Sequence, residues 1–150
     1  MMRTGWVFLL LLFAPALYAV DIEVARSFTI SGLTRTEGKL VFPAERQKYY
    51  NIRVLDKATY DFVSSCQTSC LQKLSAVTPV VAEVRPAQTR PHMWVAQVSF
   101  NRAWLVTFLV FKKGNDFEVK PPEHFTFISD KLATQTRQVI LQAIRQQENV

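Results

Sequence analysis

MWVAQVSFNRAWLVTFLVFKKGNDFEV, Met93 to Val119, decides the fold. In its first part Trp94, Ala96, Val98 and Phe100 face one way, and Val95, Gln97 and Ser99 the other. This two-residue period is that of a β-strand. Asn101-Arg102 suits a tight turn. Ala103 to Phe111 is apolar at almost every position, so it reads as a central strand covered on both faces. Lys112-Lys113-Gly114-Asn115-Asp116 is a second turn signal, Phe117-Glu118-Val119 starts the return strand, and Pro121-Pro122 ends it. Short connections between such strands make an antiparallel meander.

Downstream, Ser129 to Gln147 carries apolar residues at helical spacing. Leu132, Ala133, Val139, Ile140, Ala143 and Ile144 share one face. Ser129 suits the N-cap, and Asp130 places a negative charge at the positive end of the helix dipole. Such a stripe is expected to lie on the sheet and roof it.

Upstream, Ile22, Val24, Phe28 and Ile30 alternate with polar or small residues and read as one strand ending at Ser31-Gly32. Thr34 to Gly38 reads as a loop. Leu40-Val41-Phe42 is a short strand stopped by Pro43. Tyr50, Ile52 and Val54 mark another, and Tyr60 and Phe62 are expected to continue the sheet. Val63, Cys66, Cys70, Leu71, Leu74 and Val77 recur at helical spacing, which predicts a short helix over Ser64 to Ala76 around the cysteine pair. Val80 to Val84 reads as a strand, and Pro86 to Pro91 as an exposed loop. The expected fold class is α+β: an antiparallel meander of about five to seven strands packed by a C-terminal α-helix.

The first segment has a different character. Arg3 is the sole charge before Asp21, Trp6 to Phe13 is continuously apolar, and small residues follow. This order is that of a secretory signal peptide. Ala14-Pro15-Ala16 and Leu17-Tyr18-Ala19 both suit a peptidase; the second leaves polar Asp21 almost at the new terminus, so residues 1–19 are assigned to the leader. Thr4 to Val20 is short of the ~20 residues of a membrane span and contains a proline. Residues 20–150 then form a single exported α+β domain, with no transmembrane segment expected after signal cleavage. The full chain carries 18 basic and 12 acidic residues. Loss of Arg3 leaves a net charge of +5, which suits an acidic partner or the anionic cell envelope. The expected location is bacterial periplasmic or secreted.

Cys66 and Cys70 are the only cysteines. In an oxidising compartment they are expected to join as a disulfide. The four-residue spacing gives a local clamp rather than a long-range staple. Redox chemistry favours C-x-x-C instead, and a zinc site needs about four ligands. No metal and no cofactor are expected.

Motifs for catalysis are missing. There is no Gly-x-Ser-x-Gly, no Walker loop, no G-x-G-x-x-G and no H-E-x-x-H. The histidines, His92 and His124, each lie one or two residues from a proline at an expected strand start. Arg85, Arg90, Arg102, Lys112, Lys113 and Lys120 fall in or near the meander loops and are the candidate binding residues. The expected role is a non-enzymatic binding or accessory protein with a protein partner in the cell envelope, as a component of an envelope or secretion assembly. The alternatives are a small secreted enzyme using His92 or His124 as its acid–base, and a secreted inhibitor or effector. Nucleic acid is not an expected partner, because loop charges of this number are ordinarily solvated and the nearby aromatics read as core.

Overall fold

The computed structural model describes residues 19–36, 39–42 and 51–148. The expected leader lies outside these residues except for Ala19, as do Tyr49 and Tyr50. Ten strands and two helices occur among the described residues: β1 Ala19–Val24, β2 Phe28–Thr36, β3 Lys39–Val41, β4 Ile52–Val54, α1 Lys57–Ser65, β5 Ser69–Gln72, β6 Pro79–Pro86, β7 Met93–Phe100, β8 Trp104–Lys113, β9 Asp116–Lys120, β10 Phe125–Phe127 and α2 Asp130–Glu148. The fold class is α+β, with the C-terminal helix packed on a sheet.

The strands divide into two sheets rather than the single meander expected. The first has the order β10-β2-β1-β5, with β3 pairing the far end of β2. All its pairs are antiparallel except β1 with β5, which run parallel. The second has the order β4-β8-β7-β6, and β9 pairs the second half of β8. Its β7–β9 portion is the meander read from the sequence, and β6 is the strand read at Val80 to Val84. The buried faces of the sheets meet through aromatic rings. Phe28 of the first lies 5.1 Å from Phe100 and 6.4 Å from Trp104 of the second, centroid to centroid.

Several local expectations are corrected. Residues 22–30 form two strands, not one. Val24 pairs with Phe28 across a three-residue turn, so the alternation continues through the reversal. Ala25 and Arg26 adopt left-handed conformations, φ 48° and 55°, without the glycine or asparagine that usually announces such a turn. Asn101 and Arg102 take nearly the same conformations, φ 55° and 54°, in the β7–β8 turn. Thr34 to Thr36 belong to β2 rather than to a loop, and pair with Lys39 to Val41.

Tyr60 and Phe62 lie in α1, not in a strand. Asp56 caps this helix by accepting from the Thr59 amide at 2.9 Å, and Thr59 and Val63 are its buried face. The helix expected over Ser64 to Ala76 is absent. Instead α1 ends at Ser65 with Cys66 as its C-cap, and Ser69–Gln72 pairs with β1. Parallel pairing with a distant segment outweighs the local helical spacing there. Arg35 of β2 holds the α1 end, its Nη2 donating to the carbonyls of Ser64 and Cys66.

The C-terminal helix matches its expectation closely. Ser129 Oγ accepts from the Leu132 amide at 3.2 Å, and Leu132, Thr136, Ile140, Leu141 and Ile144 are buried. The helix runs chiefly along β6. Phe108 and Val119 meet Ala133, Thr136 and Arg137 around a cleft of about 270 Å³. Phe108 and Val119 belong to the face that also meets the first sheet, so α2 and that sheet share one side of β8. Cover on both sides of β8 is therefore corrected: none of the described elements lies over the opposite face.

Candidate functional site

Cross-strand register defines this uncovered face, because paired residues project to the same side of a sheet. Arg85 pairs with Val95, Val95 with Leu109, and Leu109 with Lys120. One row across β6, β7, β8 and β9 thus reads cation, apolar, apolar, cation. In the adjacent row Met93 pairs with Phe111, and Phe111 with Glu118. On the other side Gln97 pairs with Thr107, and beyond them Val80, Ser99, Leu105 and Arg53 follow one another.

The apolar side chains of the strip, Met93, Val95, Leu109 and Phe111, are half-buried. Their counterparts across the sheet, Ala96, Phe108 and Val110, have no exposure at all. Neighbouring strands alone account for partial burial of a central strand's side chain. Complete burial needs a second layer, and among the described residues only the inner face has one.

Charge around the strip is uneven. Lys113 and Lys120 both pair with Glu118, the latter at 3.6 Å, and Arg85 lies 3.9 Å from Glu83. Lys120 Nζ also stands 5.3 Å over the Phe111 ring, a cation held at the edge of the apolar surface. The hydrogen bond from Lys113 to Glu118 holds that carboxyl below its ordinary value, against a smaller opposing effect of desolvation; the charges of Lys113 and Lys120 add to the lowering. With Arg53, this face carries four basic groups and three acidic ones, Glu83, Glu118 and Asp116, the last paired with Lys113 in the register and 3.1 Å from Arg137 of α2.

The six basic residues singled out in the sequence do not all converge. Arg85, Lys113 and Lys120 border the strip. Arg90 lies in the exposed β6–β7 connection at the same end. Lys112 pairs with Phe117 and turns to the inner side, its Nζ 6.0 Å from that ring. Arg102 occupies the β7–β8 turn at the opposite end. Sequence reasoning missed Met93, Val95, Leu109 and Phe111 as surface residues, because apolar character on both faces of β8 reads as cover on both. The available signal was Gln97 opposite Thr107, a polar interruption that suits partial contact with water.

His92 and His124 are exposed, in left-handed backbone at φ 61° and 67°. The His124 ring rests on Gly32, where an added Cβ would stand 2.7 Å from Nδ1. Two larger clefts lie elsewhere. One of about 430 Å³ separates the start of α2 from Ala76 to Pro79, and one of about 460 Å³, largely apolar, runs between β3 and β4 beside Tyr60. Neither histidine lines either cleft.

Cys66 and Cys70 are joined by a disulfide with an S–S distance of 2.05 Å. It ties the end of α1 to β5. Among the described residues, no group of three or more His, Cys, Asp or Glu side chains is placed to hold a metal ion. No described helix is long and apolar enough to cross a membrane.

No family model matches the chain, and neither the curated proteins nor the solved structures contain a significant match to it.

Proposed function

We propose that the chain is an exported, non-enzymatic binding or accessory protein, bacterial periplasmic or secreted, which joins a protein partner in the cell envelope through the uncovered face of its second sheet. The observation that carries this reading is the strip Met93, Val95, Leu109 and Phe111, apolar and half-buried on a sheet face that none of the described elements covers. An apolar surface of this kind, rimmed by charge, is the usual form of a protein interaction site. Aromatic, methionine and arginine side chains, all present in or beside the strip, are the residues enriched in such interfaces.

Export is supported by the order of charge, apolar run and small residues at the N-terminus, and by the Cys66–Cys70 pair, which suits an oxidising compartment. The basic balance of the face suits a partner with acidic groups at the contact. A component of an envelope or secretion assembly meets these requirements.

The test is affinity purification of the tagged protein from its native host, in parallel with Leu109→Glu. The wild-type protein retains one envelope partner in defined proportion. Leu109→Glu, which puts a charge on the strip without touching the buried face, loses it while melting cooperatively. A partner retained equally by both proteins contradicts the reading.

A further inference from the structure

The row Arg85–Val95–Leu109–Lys120 has dimensions that point to one kind of occupant. Resting on the docking reading above, we infer that the strip receives an amphipathic α-helix of the partner, with acidic residues along both margins of its apolar stripe.

Arg85 on β6 and Lys120 on β9 are three strand spacings apart, about 14 Å. A helix with its side chains is about 10–12 Å across. One helix laid along β7 and β8 therefore fits between the two cations, its apolar stripe on Val95, Leu109, Met93 and Phe111. Its margins then come within reach of Arg85 on one side and Lys120 on the other. The shorter strand of this pair, β7, has eight residues and is about 27 Å long, the length of about 18 helical residues; β8, with ten, is about 34 Å.

Charge selects against the other occupants. A second copy of this chain would bring its own Arg53, Arg85, Lys113 and Lys120 against the same four groups, while Glu83, Glu118 and Asp116 are already paired with basic residues of their own chain. An anionic membrane would lay its charge over Glu83 and Glu118 as well as over the cations they pair, whereas a helix can place its acidic groups at Arg85 and Lys120 alone. A helix with acidic margins meets both cations at positions it can match, and Gln97 and Thr107 supply polar partners midway along the strip.

Two synthetic helical peptides of about 18 residues test this. They share one leucine stripe and differ only at its margins, which carry Glu in one and Lys in the other. Binding to the purified disulfide-bonded domain is followed by calorimetry and by NMR shifts of the Val95 and Leu109 methyl groups. The Glu peptide binds about tenfold or more tightly than the Lys peptide and shifts those methyls, and the preference weakens with salt. The double variant R85E/K120E, altered only at exposed side chains, reverses the preference with its melting temperature maintained.

Equal binding of both peptides, or a preference that survives R85E/K120E, overturns the inference. So does binding to phosphatidylglycerol vesicles with neither peptide bound, or a dimer of the domain that Leu109→Glu dissociates. The docking reading fails separately: if the native partner depends on Leu109 while the peptides do not discriminate, the face docks something other than an acidic helix. If the partner ignores Leu109, the docking reading itself falls.

Discussion

The indole Nε1 of Trp104 donates to Oε1 of Gln72 at 2.9 Å, and Gln72 Nε2 in turn donates to Thr59 Oγ1 at 3.2 Å. All three residues are buried. This relay joins β8 of the second sheet to β5 of the first and to α1, so one amide satisfies polar groups from three elements. Gln72→Leu keeps much of the volume but leaves the Trp104 N–H and the Thr59 hydroxyl without this partner. The expected cost is about 1–3 kcal/mol, read as a lower urea midpoint at constant slope. An unchanged midpoint contradicts the role given to Gln72.

Gly32 and His124 form a second coupled pair. Gly32 has φ +76°, and a Cβ there would stand 2.7 Å from His124 Nδ1. Gly32→Ala is expected to lose roughly 1–2 kcal/mol through backbone conformation alone, and more through the clash. In the background of His124→Ala the clash disappears and only the backbone part remains. Thermal melts of the two single variants and the double variant measure the difference; an equal cost in both backgrounds contradicts the contact.

These particulars show what was readable from the chain. The β7–β8–β9 meander was legible because strict alternation meets recognisable turns at Asn101-Arg102 and Gly114-Asn115. Helix α2 was legible because cap, dipole charge and stripe agree. The β1–β2 reversal was hidden, since the Val24–Phe28 pairing keeps the alternation in step and left-handed Ala25 and Arg26 carry no turn signature. Strand β5 was hidden because its formation depends on distant β1. The basic groups of the candidate site were legible individually, but their arrangement depends on register, which sets Arg85 and Lys120 in one row and sends Lys112 to the other side. The open face was illegible because β8 is apolar on both sides, and only the placement of the first sheet and α2 decides which side water reaches.

The disulfide makes a local prediction. A closed loop this short contributes on the order of 2 kcal/mol in the chain-entropy account. Reduction should raise the mass by two hydrogens and lower stability by about that amount. It should also loosen the β1–β5 contact first. The Asp21 amide donates to Thr68 and the Ala25 amide to Gln72, and hydrogen exchange at both should quicken on reduction while the Leu109 amide keeps its protection. Uniform acceleration throughout both sheets contradicts a local clamp.

Glu118 makes a prediction about pH. Its carboxyl is held below 4.5 first by the hydrogen bond from Lys113, then by the charges of Lys113 and Lys120, with desolvation opposing. The folded value is the lower one, so the ion pair's contribution is complete above the ordinary carboxylate value. It is lost as pH falls through the folded value, where the carboxylate takes up its proton. Lys113→Ala should raise the midpoint toward 4.5 in a carboxyl NMR titration. A midpoint unmoved by Lys113→Ala contradicts the assignment.

Footprinting in the native setting addresses the open face most directly. Side-chain labelling of the envelope fraction of the native host, compared with purified residues 20–150, reads the accessibility of Met93, Leu109 and Phe111 beside that of Tyr60 and Leu71, which project elsewhere. The expected result is strong protection of the first three in the envelope fraction and equal labelling of the other two. Equal labelling of Met93, Leu109 and Phe111 in both preparations would mean that nothing docks on this sheet, and the account would be wrong.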